Sequence, residues 1–136
     1  MTCEAMRRGM VNPKFTVEEF EQLVVQALDD LPEFFQQQLQ NIEVVVADWP
    51  SEAERQSVGL KSGQLLFGLY HGIPLTKRSS HYGMVLPDKI TIYRLSIEQV
   101  CRTPEEVIRR VQRTVKHELA HHFGISDDRL RDLGAY

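Results

Sequence analysis

The segment that decides the fold and the chemistry of this chain is His117-Glu118-Leu119-Ala120-His121, which has the form H-E-x-x-H. It lies in a stretch with helical periodicity, so the two imidazoles lie one turn apart on the same side of a helix, close enough to bind one metal ion. The carboxylate between them is placed to take a proton from a water that the metal activates. The pattern therefore predicts His117 and His121 as metal ligands and Glu118 as the catalytic residue.

The helix predicted to carry this motif has clear sequence signals at both ends. Thr103 is placed as the N-cap, a proline follows at the first helical position, and Glu106 completes a capping box. Gly124 supplies the C-terminal stop. One arc of the helix is apolar and contains Val107, Ile108, Val111, Val115, Leu119 and Phe123. His117 and His121 fall at the border of that arc, which predicts a half-buried site.

A catalytic zinc site uses three protein ligands and one open position, so a third ligand is expected. Gly124 allows the chain to turn back with a positive φ, which would bring Asp127 beside the imidazoles. Ser126, Asp127 and Asp128 also suit the first turn of a further short helix, so Asp128 is the alternative ligand. His122 lies within the apolar arc and is interpreted as a hydrogen-bonded core histidine.

Composition places the chain among single-domain globular proteins. At 136 residues and 42% hydrophobic it can form a core, and a net charge of −3 gives no general attraction to nucleic acid or anionic membranes. Cys3 and Cys101 do not make a disulfide framework and suit a reducing compartment, with Cys101 expected to be buried. We therefore predict a cytoplasmic protein without a membrane span, with a loose tail over residues 1–14 and one domain over residues 15–136.

The remaining sequence predicts alternating helices and strands. The predicted helices run from a capping box at Thr16 to about Asp30, from Pro32 onward, and near Ser96–Cys101. The predicted strands are Ile42–Ala47, Leu65–Tyr70 and Lys89–Arg94. The last of these alternates polar and apolar residues, as a half-exposed edge strand does. The segment from Ser51 to Gly63 is predicted to be a loop with at most one helical turn.

The sequence from His117 to Asp127, His-Glu-Leu-Ala-His-His-Phe-Gly-Ile-Ser-Asp, resembles the signature of the minimal zincins, a family of small bacterial zincin-like metallopeptidases. The resemblance extends to Leu66–Thr76 and Leu86–Arg94 and covers most of the chain from about Phe15. It implies an α+β, zincin-like fold, in which a small mixed sheet of about three to four strands packs against a long active-site helix and an N-terminal helix.

The resemblance also implies the roles of individual residues. Zinc (Zn²⁺) would be held by His117, His121 and Asp127, although such ligands also accept other divalent metals. Glu118 would be the base. The segment Lys89–Arg94 resembles the zincin edge strand along which an extended peptide lies. The substrate-binding residues predicted on this basis, or as possible oxyanion donors, are Ile90, Ile92, Tyr93, Arg94 and Tyr82; the loop histidines, His71 and His81, are surface residues or substrate contacts.

The function that these features predict is hydrolysis of peptide bonds in an extended peptide by a zinc-dependent, monomeric metallopeptidase. Only residues 128–136 follow Asp127, so a cleft with one wall is expected, poorly suited to folded proteins. A non-catalytic, metal-stabilised peptide-binding module is therefore the first alternative. The second is a metal-dependent single-strand endoribonuclease of a family with a similar two-histidine helix, but that family has Gly where this chain has Glu118 and His where it has Asp127. The acidic net charge also opposes an RNA substrate.

Overall fold

The computed structural model of the protein describes residues 14–61, 63–72, 88–124 and 128. Its helices are α1 (Val17–Asp29), α2 (Glu33–Leu39), α3 (Glu52–Ser57), α4 (Arg94–Val100) and α5 (Pro104–Phe123). Its strands are β1 (Ile42–Ala47), β2 (Gly68–His71) and β3 (Asp88–Tyr93). This mixture confirms the α+β class predicted from the sequence. Of the final short helix predicted after Gly124, the described residues include only Asp128.

The capping signals in the sequence place the two longest helices where they were predicted. At the start of α1 the Thr16 hydroxyl accepts a hydrogen bond from the Glu19 N–H at 3.0 Å, and at the start of α5 the Thr103 hydroxyl accepts one from the Glu106 N–H at 3.2 Å. Helix α5 ends at Gly124, whose φ of 70° lies in the left-handed region that glycine adopts without strain. The helix that carries the histidines is therefore fixed by local sequence at both ends.

A shorter helix was missed in the segment that was predicted to be a loop. Ser51 and Glu54 form a capping box, and α3 follows it over six residues. The S-x-x-E spacing was the sequence signal for this helix, but the charged and glycine-containing composition of the segment favoured a loop with one helical turn.

The three strands form a mixed sheet in the order β1-β3-β2. Strand β3 is parallel to β1, with Ile42 opposite Asp88, and antiparallel to β2, with Tyr70 opposite Ile90. The prediction that Lys89–Arg94 forms an edge strand is therefore wrong, because β3 has a neighbour on each side. Alternation of polar and apolar residues reports the two faces of a sheet and carries no information about its hydrogen-bonding edges.

The core lies between the sheet, α1 and α5, as the predicted fold requires. It is formed by Phe20, Val24, Ala27, Leu31, Phe35, Ile90, Ile92, Ile97, Cys101, Val107, Val111, Val115, Leu119 and Ala120. Four members of the apolar arc predicted on α5 are buried in this core, whereas Phe123 at the helix end is 36% exposed. The burial predicted for Cys101 is confirmed.

Strand β2 approaches α5 closely because residue 68 is glycine. A Cβ atom at Gly68 would lie 2.6 Å from Cγ2 of Thr114 and 3.1 Å from the carbonyl oxygen of Thr91. Both distances are shorter than van der Waals contact, so a larger residue would push the strand away from the helix. The close approach places the backbone of β2 beside the H-E-x-x-H turn of α5.

Lys14, at the end of the predicted tail, is bonded to α4 and the residue that follows it. Its backbone N–H donates to Oε1 of Glu98 at 2.6 Å, and its ammonium group donates to the carbonyl oxygens of Glu98 and Cys101. The rest of the predicted tail lies outside the described residues. Among the helices of the described ranges, none combines the length and the apolar character that a membrane crossing requires.

Candidate metal centre

Helix α5 presents His117 and His121 side by side on an exposed part of its surface. Their ring centroids are 5.1 Å apart and the ring planes are inclined by 42°. Both residues are exposed, and neither imidazole makes a hydrogen bond to any residue within 14–61, 63–72, 88–124 or 128. Two neighbouring imidazoles with available nitrogen atoms fit the donor set that zinc prefers. The helical spacing in the sequence thus predicted their proximity correctly.

Glu118 lies between the two histidines in sequence but points toward the sheet. Its Oε1 accepts a hydrogen bond from the backbone N–H of Tyr70 at 2.9 Å, and the residue is half-buried. Burial raises the pKa of Glu118 above its ordinary value. The hydrogen bond from the Tyr70 N–H and the nearby imidazoles of His117 and His121 lower this pKa, but the effect of burial is larger. The carboxylate is therefore held in one orientation by a backbone group and has one oxygen left for other bonds.

His122, the residue after His121, packs against Tyr70. The two rings are stacked with centroids 4.0 Å apart, and the Tyr70 hydroxyl donates to Oδ2 of Asp88 at 2.6 Å. That carboxylate oxygen also lies 3.9 Å from Nε2 of His122. His122 is thus packed against an aromatic ring beside a carboxylate, as predicted, but the 3.9 Å separation is longer than the hydrogen bond expected for it. The contacts of Tyr70 and Asp88 with His122 were not predicted, because both residues are far from α5 in sequence.

The predicted third ligand, Asp127, lies outside the described residues and stays a prediction. The alternative ligand, Asp128, is exposed. Within the described part of the chain, no group of three or more His, Cys, Asp or Glu side chains is arranged to hold a metal ion. The described ligand set is therefore the pair His117 and His121.

The residues predicted to contact substrate on β3 are inside the protein. Ile90, Ile92 and Tyr93 are fully buried, and Arg94 is 8% exposed. Arg94 instead forms ion pairs at the start of α4, to Asp48 at 2.9 Å and to Glu98 at 3.6 Å. The substrate-binding role assigned to these four residues is wrong for two physical reasons. Strand β3 has a hydrogen-bonded neighbour on each edge, and these side chains are buried by packing on the two faces of the sheet.

The other residues predicted as possible substrate contacts are Tyr82, His71 and His81, which were assigned to loops. Tyr82 and His81 lie outside the described residues. His71 is the last residue of β2, and its Nε2 lies 3.4 Å from Oε2 of Glu54 in α3. The pKa of Tyr93, on the same face of the sheet, is raised by burial and by Glu54. His71 therefore contacts α3.

Two grooves open on either side of Glu118. The first has a volume of about 410 Å³ and is lined by Val58, Leu66, Leu69, Tyr70, Gly72, His117, Glu118, His121 and His122. The second has a volume of about 320 Å³ and is lined by Leu65, Leu66, Phe67, Gly68, Arg110, Arg113, Thr114, His117 and Glu118. His117 and Glu118 line both grooves, so the candidate metal centre lies where they meet. Sequence reasoning missed them because their walls come from separate parts of the chain.

Comparison with known proteins agrees with this geometry. Residues 39–135 match the family described as Zincin-like metallopeptidase. A solved structure, a conserved hypothetical protein from Thermo thermophilus, is 29% identical and superposes with a TM-score of 0.54, covering 80% of this chain and 94% of that chain. No match was found among curated proteins. The family match spans more than half of the chain and includes both histidines and Glu118, so the chain belongs to the Zincin-like metallopeptidase family.

Proposed function

We propose that this protein is a zinc-dependent metallopeptidase that hydrolyses peptide bonds with Glu118 as the general base. The observation that carries the proposal is the arrangement of three side chains on one turn of α5. His117 and His121 present adjacent exposed imidazoles, and the carboxylate of Glu118 is fixed to the neighbouring strand by the Tyr70 N–H. Family membership supports a metal-dependent, peptidase-like function, and the chemistry of these residues supports the finer assignment.

His117 and His121 would hold the metal through neutral ring nitrogens, with Asp127 as the proposed third ligand. When bound there, zinc supplies Lewis acidity that lowers the pKa of a water and polarises a carbonyl group. The exposure of both imidazoles leaves room for that water and for substrate beside the histidines.

Glu118 would accept the proton of the attacking water and return it to the leaving amine. The Tyr70 N–H occupies Oε1, so Oε2 is the oxygen that moves the proton. A fixed carboxylate loses little conformational freedom when the reaction begins, which is one source of catalytic efficiency.

The backbone of β2 is the proposed docking edge for an extended peptide. Strand β2 lies at one end of the described sheet order, and the Tyr70 N–H on its outer edge points toward Glu118. A peptide that pairs with the other backbone groups of this edge, since the Tyr70 N–H is bonded to Glu118, would pass beside the base and the paired imidazoles. The peptide-binding strand predicted from the sequence was β3; we place the peptide at β2 instead.

The experiment that tests this function uses the zinc-loaded protein and a library of unstructured peptides, with cleavage followed by mass spectrometry and zinc content measured in the same samples. Zinc-dependent cleavage at defined peptide bonds is expected. Zinc binding with peptide capture but no cleavage would contradict the proposal and favour the non-catalytic binding module. Cleavage of a single-stranded RNA oligonucleotide without cleavage of any peptide would contradict it in favour of the endoribonuclease.

A further inference from the structure

We propose that the protein prefers peptides with an acidic side chain two or three residues from the scissile bond, and that Arg110 and Arg113 select it. This inference rests on the proposed function, since it concerns the substrate of the same site. The groove that contains these arginines runs from Glu118 and His117 toward the N-terminal half of α5, with Leu65–Gly68 as its opposite wall. A side chain that follows this groove away from the reacting bond meets the two guanidinium groups.

The two arginines have no carboxylate partner of their own in the described parts of the chain. Neither forms an ion pair there, although α5 carries acidic residues in its first turn. Arg113 is exposed. Arg110 is half-buried, with its guanidinium carbon 4.8 Å from the centroid of the Phe67 ring. The guanidinium group of Arg110 also lies near the Cys101 thiol. A guanidinium group has five N–H donors, so contact with an aromatic ring and a thiol leaves donors for a carboxylate.

The positions along α5 set the distance between the reacting bond and the acidic side chain. Arg113 precedes His117 by four residues and Arg110 precedes it by seven, which correspond to about 6 and 10 Å along a helix axis. An extended peptide advances about 3.3 Å per residue. The acidic residue therefore lies two or three positions from the scissile bond, and on one side of it only.

Arginine also binds phosphate, but the groove is poorly suited to single-stranded RNA. Such sites stack successive bases on exposed aromatic rings within a strongly basic channel. Among the described residues that line this groove, the aromatic rings are Phe67, whose face Arg110 already covers, and the imidazole of His117, a proposed metal ligand. The chain as a whole carries a net charge of −3. The groove therefore favours a carboxylate on a peptide over a nucleic acid.

The test measures binding and cleavage separately. Zinc-loaded Glu118→Gln protein is titrated with fluorescent peptides that carry Glu or Gln at each of the three positions on either side of the scissile bond. We expect binding about tenfold tighter for Glu than for Gln at one of these positions, with a preference that weakens as salt rises. Arg113→Gln and Arg110→Gln should each reduce this preference. Arg109→Gln is the matched control, because Arg109 lies on the same helix and does not line this groove.

Equal binding of Glu and Gln peptides at every position would overturn the inference, as would an equal loss of preference in Arg109→Gln. An RNA oligonucleotide that displaces the acidic peptide at equal phosphate concentration and binds more tightly would also overturn it. Failure of the proposed function has a different signature. Wild-type protein that binds the acidic peptide selectively but never cleaves it would refute the peptidase and uphold the acidic preference.

Discussion

The backbone N–H of Tyr70 donates a 2.9 Å hydrogen bond to Oε1 of Glu118, across a separation of 48 residues in the sequence. This contact joins the outer edge of β2 to the H-E-x-x-H turn of α5, so the proposed base and the proposed peptide-docking edge are held in a fixed relation. The relation depends on how closely the strand approaches the helix. Each feature that controls this approach provides a test.

Substitution of Gly68 should separate β2 from α5. Gly68→Ala places a Cβ atom 2.6 Å from Cγ2 of Thr114, and overpacking of this kind costs about 1–3 kcal/mol in the free energy of unfolding. Peptide cleavage should fall with it because the Tyr70 N–H moves away from Glu118. Chemical denaturation and kcat are the measurements.

The control for this prediction is a rescue. Thr114→Ser removes Cγ2, the atom that the new methyl group meets most closely, so Gly68→Ala combined with Thr114→Ser should recover part of both stability and activity. A double variant no better than Gly68→Ala alone would show that the steric explanation is wrong.

Removal of the Tyr70 hydroxyl should destabilise the fold without removing the metal ligands. Tyr70→Phe loses the 2.6 Å hydrogen bond to Asp88, a residue that is 8% exposed. A buried hydrogen bond to a charged group contributes about 1.5–3 kcal/mol, so the free energy of unfolding should fall by an amount in that range. The ring stacking on His122 remains possible in this variant. An unchanged denaturation midpoint with normal zinc content would contradict the account of this hydrogen bond.

Adjacent histidines should respond differently to alanine substitution. His121 is exposed beside His117, whereas His122 is stacked on Tyr70. His121→Ala should lower the affinity for zinc by at least about tenfold, as loss of one ligand requires. His122→Ala should retain zinc and instead lower the melting temperature. Zinc titration with a competing chelator distinguishes them, and equal zinc loss in the two variants would contradict the assigned orientations.

The start of α5 should become less stable in acid. Hydrogen bonds from the backbone N–H groups of Arg102 and Thr103 lower the pKa of Glu106 below its ordinary value of 4.5. A carboxyl with a lowered pKa in the folded state contributes stability above pH 4.5, and that contribution is lost as the pH falls through the folded-state pKa. Glu106→Gln should therefore flatten the dependence of the melting temperature on pH between about pH 5 and pH 3.

The control for the acid response is Glu105→Gln, which removes a neighbouring charge that makes no capping hydrogen bond to a described residue. A flattening of the same size in both variants would mean that the general charge of the first turn is responsible, and not the capping box.

The local parts of the fold were predictable because their causes are local. The capping box at Thr103, the apolar stripe of α5 and Gly124 define the helix that carries the histidines without reference to the rest of the chain. The spacing of His117 and His121 then fixes their proximity. The order of strands in the sheet was not predictable in this way, because the residues of Lys89–Arg94 do not determine which strands pair with them. Because Lys89–Arg94 was wrongly assigned as an edge strand, its residues were also wrongly predicted to contact substrate.

The same distinction separates the parts of the site. Glu118 was assigned from its place between two histidines, but its partner Tyr70 belongs to a strand far away in sequence. Gly68 was the available signal, since a glycine within a strand often marks a close approach of another element. Asp127 depends on the path of the chain after Gly124 and stays a prediction, as do the cytoplasmic location and the monomeric state.

The central claim is that Glu118 acts as a base beside a metal held by His117 and His121. The most direct test is parallel measurement of zinc content and peptide turnover in wild-type and Glu118→Gln proteins. We expect equal zinc content with turnover reduced by at least about 100-fold, since general-base catalysis contributes about 10²–10⁴ in rate. Zinc-loaded Glu118→Gln protein that cleaves peptide at the wild-type rate would contradict it.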